Sequence, residues 1–317
     1  MGDIVHLEAT ATDANFSENG YLSCNPDVKL AVESGTFSSG RAHFNLFGRA
    51  EGRRIRVNAD ISPLRARKMR RIEPLLKRDA PIAFLDSGKY DALSDELRAQ
   101  TRIIETDSIS SHNYDPSIID AIQEIGEGIA LDCGAGKRNV YYDNVVNLEI
   151  VNYDTTDVLA VGESLPFVDG SFDAVFSIAV LEHVRDPFRC AAEIVRVLKP
   201  GGILISAVPF LQPVHGYPHH YFNATPQGHR RLYEDTLNIE SVEVPLSLHP
   251  VSSLSWIVRT WAQALPPLVR SQFLDMRLSE LLQHLPDLRK QAFSALLPAE
   301  ATRTLCSGTL LKARKPI

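Results

Sequence analysis

The chain is expected to be an α/β protein built on a doubly wound, mostly parallel seven-stranded sheet, and three features predict this. The runs GIALDC, VVNLEI, DVLAV, FDAVFSIA and GILISAVPF are almost wholly apolar and have strand length, as strands covered on both faces require. Helical or loop segments separate them, among them the amphipathic PFRCAAEIVRVLKPGG before the last run, and that alternation belongs to a parallel sheet. Directly after the first run come Gly134 and Gly136, at the carboxyl edge where such sheets bind ligands.

Taken in order, residues 1–60 form a helical module of their own. Asn25 is an N-cap with Pro26 at the first helical position, and that helix ends near Gly35. A second helix starts at Ser38 or Ser39 and is expected to turn Phe44, Leu46 and Phe47 inward before Gly48, completing an N-terminal helical hairpin. Residues 61–113 read as a connector. Its basic helix SPLRARKMRRIEPLLKR is expected to be a solvated face rather than an anion-binding patch, and a strand (IAFLD), a polar helix and a second strand (TRIIETD) follow. The main domain spans residues 114–317. It opens on a helix capped by Asp115, with Pro116 at N1 and Ile118, Ile119, Ile122 and Ile125 on one face before Gly126. After the five apolar runs, NIESVEVPLSL and TRTLCSGTLLKARK are expected to be the last two strands, with a helical insertion at about 249–301 between them. Trp256, Trp261, Leu265, Leu268 and Phe273 of that insertion are expected to pack as a cap, because Arg259, Arg270 and Asp275 interrupt any extended apolar face.

Composition excludes several classes. A net charge of -6 over 317 residues leaves no broad basic surface, so nucleic acid is not an expected partner. Cys24, Cys133, Cys190 and Cys306 lie far apart, without metal-ligand spacing, and read as reduced thiols. The first twenty residues lack a basic stretch followed by an apolar core, and no run of about 18 apolar residues occurs. A cytoplasmic protein with no transmembrane segment is the expectation.

Two ligands compete for the glycine turn. A dinucleotide needs a third glycine and a helix whose N-terminus faces its pyrophosphate. Here Asn139 stands at the third position, and only eight residues separate Gly136 from Val145, too few for a crossover helix. One helical turn at most is expected. S-adenosylmethionine carries no phosphate; it needs room at the backbone and a carboxylate for its ribose, which Glu149 at the end of the second run supplies, with Gly162 and Glu163 flanking the adenine position.

The segments LDCGAGKRN, NLEI and VGESLPFVDGSFDAVFSIAVLEHVRDPFRCAAEIVRVLKPGGILISAVPF resemble the class I S-adenosylmethionine-dependent methyltransferases, in particular the type 11 subgroup. The resemblance covers about residues 115–245. It implies that Asp132, Gly134 and Gly136 line the methionine end, that Glu149 binds ribose, and that Leu181 to His183 lie beside the sulfonium. Many relatives place an acid against the adenine amino group where this chain has Val161. His183 has two local readings, a cap for the following helix or a neighbour of Glu182.

An alcohol acceptor must lose a proton during methyl transfer. The loop after the fifth run, PFLQPVHGYPHHYFNATPQGHRRLYED, holds His215, His219 and His220, any of which suits base work near neutral pH, with Tyr217 and Tyr221 as acceptor-pocket residues. The same rings could instead only pack over a pocket. No metal is expected, since His219 and His220 are adjacent and methyl transfer needs no Lewis acid. The stretch YLSCNPDVKLAVESGTFSSGRAHFNLFGRAEGR is similar to a helical module found beside bacterial glycosyltransferases, and YPHHYFNATPQG resembles methyltransferases of polysaccharide clusters. That resemblance implies a sugar or glycan acceptor in polysaccharide biosynthesis, with the N-terminal module docking a glycan-assembly partner. A small metabolite, a nitrogen acceptor, or a non-catalytic cofactor-binding scaffold are the alternatives.

Overall fold

The computed structural model describes residues 3–102, 113–216, 219–309 and 314. Two compact units divide the chain, Met1–Ala207 and Val208–Ile317.

In the first unit the strands are β1 (Ile4–His6), β2 (Glu8–Thr10), β3 (Arg54–Arg56), β4 (Ala83–Leu85), β5 (Lys89–Asp91), β6 (Ala130–Cys133), β7 (Val140–Tyr142), β8 (Val145–Glu149), β9 (Val158–Leu159), β10 (Phe172–Ile178) and β11 (Leu198–Ala207). The helices are α1 (Glu18–Cys24), α2 (Pro26–Glu33), α3 (Gly40–His43), α4 (Ser62–Ile72), α5 (Asp95–Thr101), α6 (Pro116–Glu124) and α7 (Pro187–Val197). A seven-stranded sheet runs β11-β10-β6-β8-β9-β5-β4. Every pair in it is parallel except β4 with β5. From β6 the chain steps to β8 and β9 on one side, then returns to β10 and β11 on the other. The switch point therefore lies between the carboxyl ends of β6 and β10, the place where such sheets hold ligands.

Both faces of the sheet are covered, as the apolar runs require. Ile118, Ala121 and Ile122 of α6 pack with Ala130, Val145, Ala174 and Phe176. Each wholly buried aliphatic side chain of this kind is worth about 1.5–3 kcal/mol. Side chains alternate along a strand, so Cys133 faces opposite to Ala130, and there it meets Cys190 of α7.

Three expectations about strands change. The sixth and seventh places in the sheet belong to β4 and β5, from the stretch read as a connector. NIESVEVPLSL is irregular up to a 3-10 turn at Leu246–Leu248, and TRTLCSGTLLKARK begins inside a helix, so among the described residues no strand follows β11. The strand expected at TRIIETD falls largely on residues 103–107, outside the described residues. The glycine turn is followed by no helical turn, within the one turn at most that was expected, and β7 beyond it pairs with β1. Strands of two or three residues carry almost no periodicity, and pairing partners define them instead.

At the N-terminus, Asn25 and Ser39 stand at the N-caps of α2 and α3 as expected, and Ser39 Oγ accepts the Ala42 N–H. Phe44 is buried with Tyr21, Val28 and Ile55, but Leu46 and Phe47, expected inward, are 67% and 49% exposed. The cause is the π-helical turn Phe44–Gly48, which rotates them off the face that α3 presents. The basic helix α4 is not simply a solvated face either. Lys68, Met69 and Ile72 are buried, and Lys68 Nζ lies 2.7 Å from Asp157 Oδ2 and 3.6 Å from the Tyr141 ring centroid. Burial pulls the Lys68 ammonium down to about 8, against the attraction of Asp157.

The second unit is helical: α8 (Pro226–Arg231), α9 (Pro250–Ala264), α10 (Pro267–Leu274), α11 (Leu285–Leu288), α12 (Ala292–Ala295) and α13 (Ala299–Thr304). Its core gathers Ala262, Leu265, Phe273 and Phe293, with Trp261 donating to the Phe293 carbonyl at 2.9 Å. Trp261, Leu265 and Phe273 thus pack inward, whereas Leu268 is 72% exposed.

Candidate functional site

The glycine turn closes on itself through Glu149. Gly134 and Gly136 have φ of 85° and 61°, left-handed values that glycine adopts without strain. A Cβ on Gly134 would lie 2.3 Å from Val180 Cγ2, so the loops after β6 and β10 meet at the switch point. Glu149 ends β8 wholly inside the protein. Its Oε2 accepts the Gly136 N–H at 2.8 Å and its Oε1 accepts the Ile150 N–H at 2.6 Å. Burial raises its pKa while these amide bonds pull the other way. Each oxygen has a second lone pair, the capacity two ribose hydroxyls require.

Asp132, also buried, stands one residue before the end of β6. Oδ2 takes the Tyr114 hydroxyl at 2.6 Å and the Arg138 guanidinium at 2.5 Å, while Oδ1 has no hydrogen-bond partner among the described residues. Arg138 is buried with its Cζ 4.2 Å from the Tyr114 ring centroid. Neither Arg138 nor Tyr114 was singled out in the sequence; the only trace was a charged pair, Lys137 and Arg138, in an otherwise small-residue turn.

The N-terminal segment braces this loop. Leu7 N–H donates to the Asn139 carbonyl at 2.8 Å, Arg56 to the Arg138 carbonyl at 2.7 Å, and Lys137 to Ser23 Oγ at 3.3 Å. From inside, Thr155 Oγ1 accepts the Arg138 N–H at 3.0 Å.

The adenine-side residues are placed more loosely. A Cβ on Gly162 would sit 2.5 Å from Cys190 Sγ, so only glycine fits above the two thiols. Glu163 accepts the Arg185 N–H at 3.0 Å. Val161 is buried with Leu93 and Leu159, part of the apolar floor rather than a polar contact. Leu181 is buried after β10. His183 is not a helix cap, since Asp186 caps α7; its ring lies 3.8 Å from Glu182. Glu182 is wholly buried, neither carboxylate oxygen has a hydrogen-bond partner among the described residues, and burial lifts its pKa to about 7.

The histidine loop belongs to the second unit. His215 Nδ1 lies 2.9 Å from the Pro213 carbonyl, which only a protonated Nδ1 can use, so the neutral ring carries its lone pair on Nε2. Its ring packs 4.3 Å from His220 and 5.1 Å from Trp256. Burial, joined by repulsion from His220, lowers its pKa. His220 braces the loop at both nitrogens: Nδ1 accepts the His215 N–H at 3.1 Å and Nε2 donates to Asn223 Oδ1 at 2.8 Å. His219 is half-buried with its ring 5.2 Å from that of Tyr221, which is 37% exposed. Tyr217 lies outside the described residues.

Two cavities lie elsewhere. One of about 410 Å³ is lined by Arg70, Gly128, Asp173 and Lys199, at the amino ends of the central strands. Another of about 310 Å³ lies among Arg56, Asp60, Arg65 and Lys89. Neither is lined by residues of the glycine turn.

Residues 131–206 match the methyltransferase domain family. A similar curated protein is an uncharacterized methyltransferase of Mycobacterium sp. (strain JLS), 49% identical over 19% of this chain and 24% of its own length. The ubiquinone/menaquinone biosynthesis C-methyltransferase UbiE of Pseudoalteromonas translucida is 29% identical over 41% of this chain and 53% of its own length. A probable chloroplastic tocopherol O-methyltransferase of Oryza sativa is 30% identical over 38% of each. The chain thus spans from about a quarter to about half the length of these relatives. The matched family segment contains the sheet's switch point and every residue from Asp132 to Glu163 named above.

Proposed function

We propose that the chain is an S-adenosylmethionine-dependent methyltransferase acting on oxygen, with a sugar hydroxyl of a glycan or polysaccharide precursor as acceptor. The observation that carries the cofactor is the closed turn at the switch point: a carboxylate held by two loop amides, and no helix between β6 and β8 to face a pyrophosphate. That combination suits a ribose-bearing ligand without phosphate. The methyltransferase domain match supports the same reading.

When bound, S-adenosylmethionine supplies a methyl group activated by its sulfonium. Asp132, Gly134 and Gly136 hold the methionine end, Glu149 the ribose, and Gly162, Glu163, Leu181 and His183 the remaining surface. Methyl transfer is an in-line displacement, so the residues' main work is alignment and exclusion of water. In our reading His215 takes the acceptor's proton on Nε2; its lowered pKa keeps the ring neutral near pH 7. His220 fixes the His215 main chain, and His219, Tyr217 and Tyr221 shape the acceptor pocket. The names of the relatives include both C- and O-methyl transfer, so the choice of oxygen rests on His215. The sugar acceptor, and docking of a glycan-assembly partner on the N-terminal module, rest on resemblance in sequence. All four cysteines are free thiols, which supports a reducing cytoplasmic setting, and no described helix is long and apolar enough to cross a membrane.

Calorimetry with S-adenosylmethionine and S-adenosylhomocysteine tests the cofactor, with Glu149→Ala as control. Micromolar binding that is lost in the variant is expected; a folded wild-type protein that binds neither compound sinks the assignment. Methyl transfer to nucleotide sugars and glycan intermediates then tests the acceptor, and cofactor binding without turnover on any oxygen, nitrogen or carbon acceptor would leave a scaffold.

A further inference from the structure

We infer that Arg138 is the anchor for the α-carboxylate of the cofactor, working beside Asp132, whose Oδ1 takes the α-ammonium. The inference rests on the proposed cofactor and adds a residue and a specificity to it.

It begins from an imbalance in one carboxylate. Both donors that reach Asp132, the Tyr114 hydroxyl and the Arg138 guanidinium, converge on Oδ2. Oδ1 is equally buried and has no hydrogen-bond partner among the described residues. A buried polar atom without a partner is uncommon and needs a cause. A purely structural pair between Arg and Asp would be expected to settle both oxygens on the guanidinium fork, the favoured bidentate geometry. One oxygen left over at the foot of a glycine turn fits a donor that arrives with a ligand.

The cation beside it is fixed before any ligand comes. Arg138 lies two residues beyond Gly136, and its main chain is held on both sides, through Thr155 Oγ1 within and Arg56 from the N-terminal segment. The Tyr114 ring supports the guanidinium plane. Its side chain is therefore directed into the protein, 5% exposed, although an arginine in a surface turn ordinarily extends into water. An ammonium and a carboxylate on one carbon form a zwitterion, and an adjacent buried carboxylate and guanidinium are its complement. Asp132, Glu149 and Arg138 together carry one net negative charge when ionised, which matches the single net positive charge of S-adenosylmethionine. A phosphate-bearing ligand would find the opposite balance.

The experiment compares three ligands on the full chain by calorimetry: S-adenosylhomocysteine, its analogue lacking the carboxylate, and 5′-methylthioadenosine, which lacks the whole amino-acid end. With the wild-type protein, removal of the carboxylate is expected to weaken binding at least about tenfold, the scale of a charge-assisted hydrogen bond. Arg138→Gln is expected to weaken S-adenosylhomocysteine by a similar factor while 5′-methylthioadenosine changes by less than about twofold, and Arg138→Lys recovers part of the loss. Equal wild-type affinity for the compounds with and without the carboxylate overturns the inference, as does a variant that loses both adenosine ligands alike, since Arg138 would then only shape the loop. The ligand-side comparison needs no mutation, so it stands even where Arg138→Gln fails to fold. Wild-type protein that binds none of the three overturns the cofactor reading itself, an outcome separate from equal binding with and without the carboxylate.

Discussion

The glycine turn and the histidine loop hold their polar side chains by different means. Around the turn the ionisable groups are buried and tied to main-chain amides or to buried charged partners: Glu149 to the Gly136 and Ile150 N–H groups, Asp132 to the Arg138 guanidinium, and Asp157 to the Lys68 ammonium and the Asn147 N–H. In the loop, His215 and His220 pack ring to ring and lean on Pro213 and Asn223, with Tyr221 and Phe222 exposed. Buried charges need satisfied partners and tolerate little change. Half-exposed rings lose little when one is removed.

Three substitutions sharpen or break that comparison. The largest effect is expected at His215. With the acceptor identified, His215→Ala should lower kcat about 10²–10⁴-fold and leave cofactor affinity and unfolding midpoint near wild type; a variant as fast as wild type assigns the proton elsewhere. Next comes Asp157→Ala, which strands the buried Lys68 ammonium and removes the acceptor for the Tyr141 hydroxyl. It should cost about 3–5 kcal/mol in denaturant unfolding, and a loss below about 1 kcal/mol would show that the cluster is looser than its burial implies.

The smallest effect is a pH dependence. Burial lifts the Glu182 carboxyl from an ordinary 4.5 to about 7. Between these values the folded protein holds a proton that the unfolded chain has released, so the contribution of this group is present below pH 4.5 and is lost as pH rises through about 7. Glu182→Gln should therefore be more stable than wild type at pH 8, by about 1–3 kcal/mol, with the gap closing towards pH 4.5. A gap that stays constant with pH in thermal unfolding would refute titration of Glu182 as its source.

Much of the region around the turn was legible in the sequence, because the signals are local. Apolar runs of six to nine residues located β6, β8, β10 and β11; Gly134 and Gly136 marked the turn; Glu149 stood out as an acid closing an apolar run. The histidine loop was legible only as composition. Its residue types were visible, but the unequal roles of His215 and His220 depend on which ring nitrogen meets which carbonyl, and spacing does not encode that.

What the sequence determined by itself was the alternation that demands a parallel sheet covered on both faces, and the position of the glycine turn at its switch point, since burial periodicity and glycine stereochemistry act over a few residues. The tertiary structure alone decided the sheet's outer edge, the burial of Lys68 and the inward course of Arg138. β4 and β5 are only three residues each and exist through their pairing. Lys68 is buried because Asp157, 89 residues away, neutralises it. Arg138 turns inward because Asp132 and Tyr114 wait there while Arg56, from 82 residues earlier, holds its carbonyl. A charge reads as a surface residue wherever it occurs in a sequence, and only a folded partner can make its burial favourable.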